Sequence, residues 1–226
     1  MTLTIEMPAD EHWIHSPAAL SPWNQSRGKR LFDLIVAFIV LTLSSPLLLV
    51  VALAVRVSTK GPVIYSQWRM GKDGKQFRLL KFRTMVDEQQ RSGPRITRAG
   101  DPRITKLGFL LRKWKLDELP QLFNVIRGHM SLVGPRPDLP EYSVCLNTAQ
   151  NQILSLYPGL TSLATLRFRN EEQLLAEVPN EQLEKFYCNE LLPEKVRIDL
   201  EYAQTAGLLT DITILFLTAR AILTRR

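Results

Sequence analysis

The sequence predicts an α+β protein: a re-entrant helix-break-helix hairpin in a membrane, joined to a small, mostly helical cytoplasmic domain with interface-lying amphipathic helices. Three patterns predict it: an uncharged apolar segment at 34–55, a β-hairpin pattern at 62–86 and amphipathic helical patterns after it. The 226 residues, 45% of them apolar, suffice for a hydrophobic core. We expect four segments: a mobile lead-in at 1–27, the membrane hairpin at 28–58, the cytoplasmic domain at 59–205 and an amphipathic C-terminal helix at 206–226.

The apolar segment Leu34–Val55 is long enough to cross a bilayer, so a single straight transmembrane helix is one interpretation. Its centre, however, holds Ser44, Ser45 and Pro46. Pro46 has no N–H to give to the carbonyl of Thr42, so the helix should kink or break there. The serine hydroxyls can satisfy the freed backbone groups inside lipid.

The charges around this segment favour a different topology. Basic residues flank both ends: Arg27, Lys29 and Arg30 before it, and Arg56, Lys60, Arg69 and Lys72 after it. Because cytoplasmic flanks carry the excess of Lys and Arg, we expect both ends on the cytoplasmic side. We therefore favour a helix that breaks at Ser45 and Pro46 and leaves through the leaflet by which it entered.

The net charge of +7 is concentrated in one stretch. Residues 67–115 carry fourteen basic and four acidic side chains, whereas 116–226 carry ten basic and fourteen acidic ones. This predicts an anionic partner, which can be nucleic acid, acidic lipid or a phosphorylated substrate. The two cysteines, Cys145 and Cys188, are too few for a disulfide framework, so we expect a reducing compartment.

The basic stretch contains two predicted elements. Residues 62–86 read as two strands around a four-residue turn that has Gly71 and Gly74 at its ends. The segment Ile104–Trp114 reads as an amphipathic helix, because apolar residues recur at spacings of three and four. Its cations and aromatic residues fit a membrane surface, and core packing is the alternative.

An acidic pair precedes the next helix. Pro120 must lie in the first turn of that helix, which places Asp117 at or near the N-cap and Glu118 in the first turn. The positive helix end favours the charged form of both carboxylates. Taken alone, such a pair is usually a cap, although an ionised aspartate beside cations can also attack phosphorus or hold Mg²⁺.

The remaining chain supplies a second cationic position and two helical regions. Arg136 lies between two prolines, where a stiff backbone suits bidentate phosphate binding; a plain turn is the alternative. Residues 171–204 predict a solvated helical cover with breaks at Pro179 and Pro193. The apolar helix Leu208–Leu223 is short and charged for a span, so we expect it at the interface or against a partner.

Five motifs, in this order, carry a family resemblance: KRLFD, KFRTM, LDELPQLFNVIRG, MSLVGPRP and YPGLT. Over about residues 28–205 the chain resembles the bacterial sugar transferases, small monotopic phosphoglycosyl transferases that begin exopolysaccharide or other glycoconjugate synthesis. The resemblance implies an enzyme on the cytoplasmic face of the bacterial inner membrane. It would transfer a sugar-1-phosphate from a UDP-sugar to polyprenyl (undecaprenyl) phosphate with Mg²⁺, releasing UMP through a covalent phosphosugar-aspartate intermediate.

The resemblance also implies roles for particular residues. Asp117 matches the family's nucleophile, with the metal beside it, and Glu118 matches the glutamate that supports it. The substrate phosphates would be neutralised by four cations: Lys81, Arg112, Arg136 and Arg169. The chain departs from the family at His129, where many relatives have an acid, and around Arg169, where RFRN replaces NGRN.

The expected partners follow from the same resemblance. They are a UDP-sugar, polyprenyl phosphate and acidic lipid headgroups, without nucleic acid, and a homodimer through the C-terminal helix is an open expectation. The sequence does not indicate which sugar is transferred. A membrane-anchored module that binds nucleic acid or acidic lipid without catalysis remains the alternative.

Overall fold

A computed structural model describes residues 19–86, 96–147 and 150–224. Its first elements are the long helix α1 (Arg27–Ser58) and the strands β1 (Ile64–Met70) and β2 (Gln76–Phe82). The later elements are, in chain order, α2 (Lys106–Lys113), α3 (Gln121–Ile126), β3 (Ser131–Val133), β4 (Gly159–Thr161), α4 (Leu163–Arg167), α5 (Glu171–Ala176), α6 (Leu183–Phe186), α7 (Leu192–Thr205) and α8 (Leu208–Leu223). Short 3₁₀ turns lie at Pro22–Gln25, Lys72–Gly74, Leu116–Glu118, Pro140–Cys145, Gln150–Ser155 and Asn180–Gln182, and a π-helical turn lies at Tyr187–Leu191.

Helix α1 continues through Pro46, so the predicted break at Ser45 and Pro46 does not interrupt the helix. The carbonyl of Thr42, which Pro46 leaves without its N–H partner, accepts a hydrogen bond from Ser45 Oγ at 2.8 Å. Ser44 Oγ donates to the carbonyl of Val40 at 2.7 Å. The hydroxyls thus take the role that the sequence predicts for them, and this keeps the turn helical.

Both ends of α1 are held by the rest of the protein. Near its start, Arg30 donates to the carbonyls of Val125 and Ile126 at 2.7 and 3.0 Å. At its end, Arg83 donates to the carbonyl of Thr59 at 2.7 Å and so covers exposed helix-terminal carbonyls. Between these ends the apolar side chains lie open, with Leu43 77% exposed.

Within the described residues, α1 is the one helix that is long and apolar enough to cross a membrane. Its most apolar window has a mean hydropathy of 2.7 and is only 11% buried, unlike the core helix of a soluble protein. A surface this apolar and this open requires a cover other than water.

The predicted β-hairpin is confirmed. Strands β1 and β2 are antiparallel and pair Ile64 with Phe82 and Met70 with Gln76. The turn at Lys72–Gly74 places Asp73 and Gly74 at φ of 56° and 72°, a region that glycine and aspartate tolerate. The other sheet is a short parallel pairing of β3 with β4.

Helix α2 begins two residues later than predicted, after Thr105, whose Oγ1 accepts from the N–H of Gly108 at 2.8 Å. The alternative of core packing is confirmed for one of its apolar residues. Leu111 is buried beneath α1, whereas Phe109 is 67% and Leu110 50% exposed. One face of α2 therefore packs in the core, and a second apolar face remains open.

The main apolar cluster joins both ends of the chain. It contains Ala37 of α1, Leu122 of α3, Tyr202 of α7 and Ile214 of α8. The predicted mobile lead-in at 1–27 is wrong for residues 19–26, because Trp23 packs on this cluster; residues 1–18 lie outside the described part.

A buried charge pair fastens α8 to α1. Lys29 Nζ lies 2.6 Å from Asp211 Oδ2, and both side chains are buried. The same Asp211 accepts hydrogen bonds from Trp23 Nε1 and from the hydroxyl of Tyr202. Asp211, which makes α8 a poor membrane span, is therefore an internal anchor with three partners.

A second apolar cluster corrects the prediction of a solvated cover at 171–204. Leu175, Leu183, Tyr187 and Val196 are buried together there, because these short helices fold back on the turns before them. Pro193 lies in the first turn of α7, where proline is tolerated.

The cysteines also differ from expectation. Cys145 and Cys188 form a disulfide, although the sequence predicts a reducing compartment. The fold brings their Cα atoms to 5.4 Å across 43 residues of sequence, a proximity that the cysteine count does not reveal.

Candidate functional site

The acidic pair lies in a tight turn between α2 and α3. Lys115, at φ 55°, ends α2, and the 3₁₀ turn Leu116–Glu118 carries both carboxylates. Helix α3 then starts after Pro120 without a side-chain cap. The expectation that Asp117 caps this helix is therefore wrong, because the intervening 3₁₀ turn separates the carboxylates from the start of α3.

Glu118 is the centre of a cationic cluster. Its Oε1 lies 2.7 Å from Arg136 Nη2, 3.2 Å from Lys81 Nζ and 3.6 Å from Lys115 Nζ. Burial alone would raise the pKa of Glu118, but the charges of Arg136, Lys115 and Lys81 hold it well below its ordinary value. Glu118 is therefore ionised, as the sequence predicts.

Asp117 has the opposite environment. It is 3% exposed, and its Oδ1 is buried without a hydrogen-bond partner. Burial and the charge of Glu118 raise the pKa of Asp117, against the attraction of Lys81, Lys115 and Arg112. The expectation that the environment favours the charged form does not hold for Asp117, because burial and the neighbouring Glu118 raise its pKa.

A close backbone contact at Gly134 helps to place Arg136. A Cβ on Gly134 would lie 2.4 Å from the carbonyl oxygen of Tyr157, so only glycine permits β3 and β4 to approach this closely. The chain leaving β3 then carries Arg136 toward Glu118. Lys81 reaches the same oxygen from β2, where burial lowers the pKa of its ammonium to about 8 despite the opposing effect of Glu118.

A cavity of about 1340 Å³ adjoins the cluster. Glu118, Lys81 and Arg136 line it, as do the other two predicted cations, Arg112 and Arg169. The structure thus brings all four predicted cations and Glu118 to one cavity. Asp117 is not among the described residues that line it.

The two remaining cations are placed less centrally. Arg112 forms an ion pair with Glu172, which also lines the cavity, and its charge acts on Asp117. Arg169 is exposed at the cavity wall. Lys81 and Arg136 are thus the two predicted cations that contact Glu118 in the described ion pairs.

Sequence reasoning missed two cations of the site. Lys115 lies beside Glu118, and its left-handed backbone next to the acidic pair has no local sequence signal. Arg69 lines the cavity and donates to the carbonyl of Pro137 at 3.2 Å, which supports the segment that holds Arg136. The alternation of β1 could have placed Arg69 on a strand but could not identify its partner.

The protein supplies only part of the oxygen ligands that Mg²⁺ would need at this site. The described residues hold no group of three His, Cys, Asp or Glu side chains that could bind a metal by themselves. Mg²⁺ is ordinarily held by one or two carboxylates together with substrate phosphates and water. The unpartnered Oδ1 of Asp117 fits that arrangement.

Comparisons with known proteins agree with the motifs. The family described as bacterial sugar transferase matches residues 24–225. A Komagataeibacter xylinus protein named undecaprenyl-phosphate glucose phosphotransferase is 36% identical over 208 residues, which cover 89% of this chain and 36% of that protein. An Escherichia coli (strain K12) protein named UDP-glucose:undecaprenyl-phosphate glucose-1-phosphate transferase is 40% identical over 199 residues, covering 84% of this chain and 39% of that protein.

A third relative is closer in length. The Sinorhizobium fredii protein named exopolysaccharide production protein ExoY is 37% identical over 210 residues, which cover 86% of this chain and 85% of that protein. The chain thus spans well under half of the first two relatives and most of the third. Because the family match covers nearly the whole chain and includes the acidic pair and its cations, the chain belongs to the bacterial sugar transferase family.

Proposed function

We propose that the chain transfers a sugar-1-phosphate from a UDP-sugar to undecaprenyl phosphate and releases UMP, as the first membrane step of exopolysaccharide or other glycoconjugate synthesis. Two relatives are named for glucose transfer to undecaprenyl phosphate and one for exopolysaccharide production. UDP-glucose is accordingly the first substrate to test.

The observation that carries this proposal is the charge arrangement around Glu118. Three cations contact one carboxylate at the wall of a large cavity, next to a second carboxylate with a free oxygen. A diphosphate and a lipid phosphate both repel an anionic nucleophile, so their charge must be neutralised before a carboxylate can reach phosphorus. Lys81 and Arg136 are placed to do this.

The reaction proceeds in two displacements on one phosphorus atom. A carboxylate oxygen of Asp117 attacks the sugar-bearing phosphorus of the UDP-sugar, and the bond to the bridging oxygen breaks as UMP leaves. A phosphate oxygen of undecaprenyl phosphate then attacks the phosphosugar-aspartate, which forms the lipid diphosphate sugar and frees the carboxylate. Because Asp117 does not line the cavity, its side chain must turn toward the cavity when substrate binds.

Mg²⁺ is part of the proposal, and Asp117 would hold it together with substrate phosphate oxygens. When bound, the ion supplies positive charge that stabilises the diphosphate and its leaving group. Glu118 supports the site differently, by keeping Lys81, Lys115 and Arg136 together at the cavity wall.

The same proposal places the protein on the cytoplasmic face of the bacterial inner membrane, with α1 entering and leaving through one leaflet while it remains helical through Pro46. Two features support this placement: both ends of α1 contact the same folded body, and its centre is apolar and open. The exposed residues Phe109 and Leu110 of α2 would lie at the headgroup boundary. That depth suits a site that must meet a lipid phosphate.

The proposal is tested with purified protein in detergent, UDP-glucose, undecaprenyl phosphate and Mg²⁺, by measuring UMP. We expect UMP release by the wild type and loss of at least about 10³-fold for Asp117→Asn, since a covalent nucleophile is removed. The control is Asp73→Asn, an exposed aspartate in the hairpin turn, which should retain full activity.

The same assay distinguishes the transferase from a binding module without catalysis. If Asp117→Asn turns over as fast as the wild type, or if the adduct maps to another residue by mass spectrometry, the mechanism is wrong. If the wild type releases no UMP with any UDP-sugar yet binds acidic lipid vesicles or nucleic acid, a binding module without catalysis is indicated. A panel of UDP-hexoses and UDP-N-acetylhexosamines then identifies the sugar.

A further inference from the structure

The cavity lining is chemically mixed. Ionic side chains line it around Glu118. Four leucines that pack on the main apolar cluster also line it and are called the apolar wall: Leu119, Leu160, Leu166 and Leu215. Leu119 directly follows Glu118 in the sequence.

Helix α8 extends the apolar wall beyond these leucines. Leu215, Ala221 and Ile222 of α8 line the cavity, and Thr218 holds the helix there through a 2.8 Å hydrogen bond to Thr161 of β4. The side chains of Leu215, Ala221 and Ile222 offer methyl and methylene groups, which cannot hydrogen-bond the hydroxyls and phosphates of a UDP-sugar.

Helix α8 also borders the apolar surface of the membrane helix. Ile214, one residue before the cavity-lining Leu215, is 3% exposed and packs in the same cluster as Ala37 of α1. On the outward side of α8, Leu209 is 79% and Phe216 65% exposed. Helix α8 thus carries apolar residues that line the cavity and, at other positions, apolar residues that are exposed.

We propose that this wall binds the first isoprene units of the polyprenyl phosphate acceptor, so that α8 guides the chain from the lipid to the cavity. This inference rests on the proposed function. An acceptor with an anionic head and an apolar chain needs cations and an apolar track side by side, which is the combination that the cavity presents. Each buried methylene adds to affinity, so the wall selects a long isoprenoid over a short phosphate.

The test uses two alanines of the same helix. Ala221 lines the cavity, whereas Ala219 is exposed on the other side of α8 and does not line it. Ala221→Phe fills the track. We expect it to raise the KM for undecaprenyl phosphate about tenfold, the change for one or two lost methylene contacts. The KM for UDP-glucose should stay unchanged, and Ala219→Phe should leave both values unchanged.

A second measurement avoids any dependence on how the variant folds. Wild-type protein is irradiated with a polyprenyl phosphate that carries a photoreactive diazirine on its second isoprene unit, and the adduct is mapped by mass spectrometry. We expect adducts on residues 215–222. Adducts confined to α1 or α2 overturn the inference, as does an Ala221→Phe variant whose acceptor KM equals that of Ala219→Phe.

The two proposals fail in distinguishable ways. If Ala221→Phe raises the KM for UDP-glucose and not for the acceptor, the wall belongs to the nucleotide, and the inference is wrong while the transferase activity stands. If wild-type protein transfers no sugar phosphate and yields no adduct, the proposed function and this inference are both overturned.

Discussion

Adjacent residues in this site have opposite electrostatic environments. Glu118 is held ionised by three cations, whereas burial and the neighbouring carboxylate raise the pKa of Asp117. Two carboxylates whose surroundings separate their pKa values are suited to different roles. Glu118 is thus fitted to organise cations, whereas burial and the charge of Glu118 make the ionised form of Asp117 less favourable than in water.

A third buried carboxylate leads to a prediction about stability. Asp199 is 3% exposed and accepts a hydrogen bond from the N–H of Ala164 at 2.9 Å. Burial raises its pKa from 3.8 to about 7, although that hydrogen bond opposes the change. The folded state therefore holds a proton that the unfolded state releases near pH 4, and this stabilisation disappears as the pH rises through about 7.

We expect Asp199→Asn to remove this pH dependence. The difference in unfolding free energy between pH 5 and pH 8 should shrink by about 3 kcal/mol. One proton held by the folded state changes the stability by about 1.4 kcal/mol per pH unit, and the interval from pH 5 to the pKa of about 7 spans two such units. Denaturant unfolding in detergent at several pH values measures it. Asp101→Asn is the control, because Arg103 lowers the pKa of Asp101 and its titration lies below this range. Parallel pH profiles for wild type and Asp199→Asn would contradict the prediction.

The sequence identified residues that lie in motifs but not the contacts between residues far apart in the chain. The motifs identify Asp117, Glu118, Lys81 and Arg136, and the structure brings them together. They do not show that Arg112 pairs with Glu172, sixty residues away in sequence. A charge partner at that separation depends on the fold, which no local pattern encodes.

At the scale of elements, α2 is positioned by a close backbone contact. A Cβ on Gly108 would lie 2.0 Å from the carbonyl oxygen of Thr84, a backbone atom that a side-chain rotation cannot move. The N–H of Thr105 donates to the carbonyl of Thr84 at 2.9 Å, so the start of α2 is tied to the segment that follows β2, the strand that carries Lys81. The end of α2 leads directly to Lys115 and the acidic pair.

We expect Gly108→Ala to destabilise the protein by about 1–3 kcal/mol, because overpacking outweighs the better helix propensity of alanine. Thermal unfolding in detergent followed by tryptophan fluorescence measures this. Gly207→Ala is a matched control, since its Cβ would meet nothing closer than 3.8 Å. An unchanged melting temperature for Gly108→Ala would mean that α2 does not approach Thr84 this closely.

Some elements follow from local sequence patterns, whereas others depend on tertiary packing. The hairpin and α8 are found where hydrophobic periodicity and turn residues place them. The sequence did not predict that residues 171–204 build a second core, since their many charges resemble a solvated surface. Burial there depends on how short helices pack, which periodicity over five or six residues cannot show.

At the scale of the whole molecule, the ends of α1 are tied to the body at separate points. The start is held by the buried pair of Lys29 with Asp211 and by Arg30 on the carbonyls that end α3. The end is held by Arg83 and by Val55, which packs in a cluster with Leu111 of α2. The two ends of α1 therefore contact α3 and α2, the helices on either side of the acidic pair.

We predict that both ends of α1 lie on the same side of the membrane. We expect Gln25→Cys and Lys60→Cys, in a background where Cys145 and Cys188 are replaced by alanine, to be protected from an impermeant maleimide in intact spheroplasts. Both should react in inverted vesicles, because both flanks are basic and both ends join one body. The background without added cysteine is the control for labelling. Reaction of one position from outside would establish a straight span and overturn this prediction.

Some properties of this protein were determined by its sequence alone. An uncharged apolar helix, a glycine-bounded hairpin and a motif series around Asp117 and Glu118 are local patterns, and local patterns persist in any packing. The tertiary structure alone decided which cations meet Glu118, that Asp117 is buried with a free oxygen, and that α8 forms an apolar wall. Those features arise from contacts between residues tens of positions apart, and the same residues in another packing would have other neighbours.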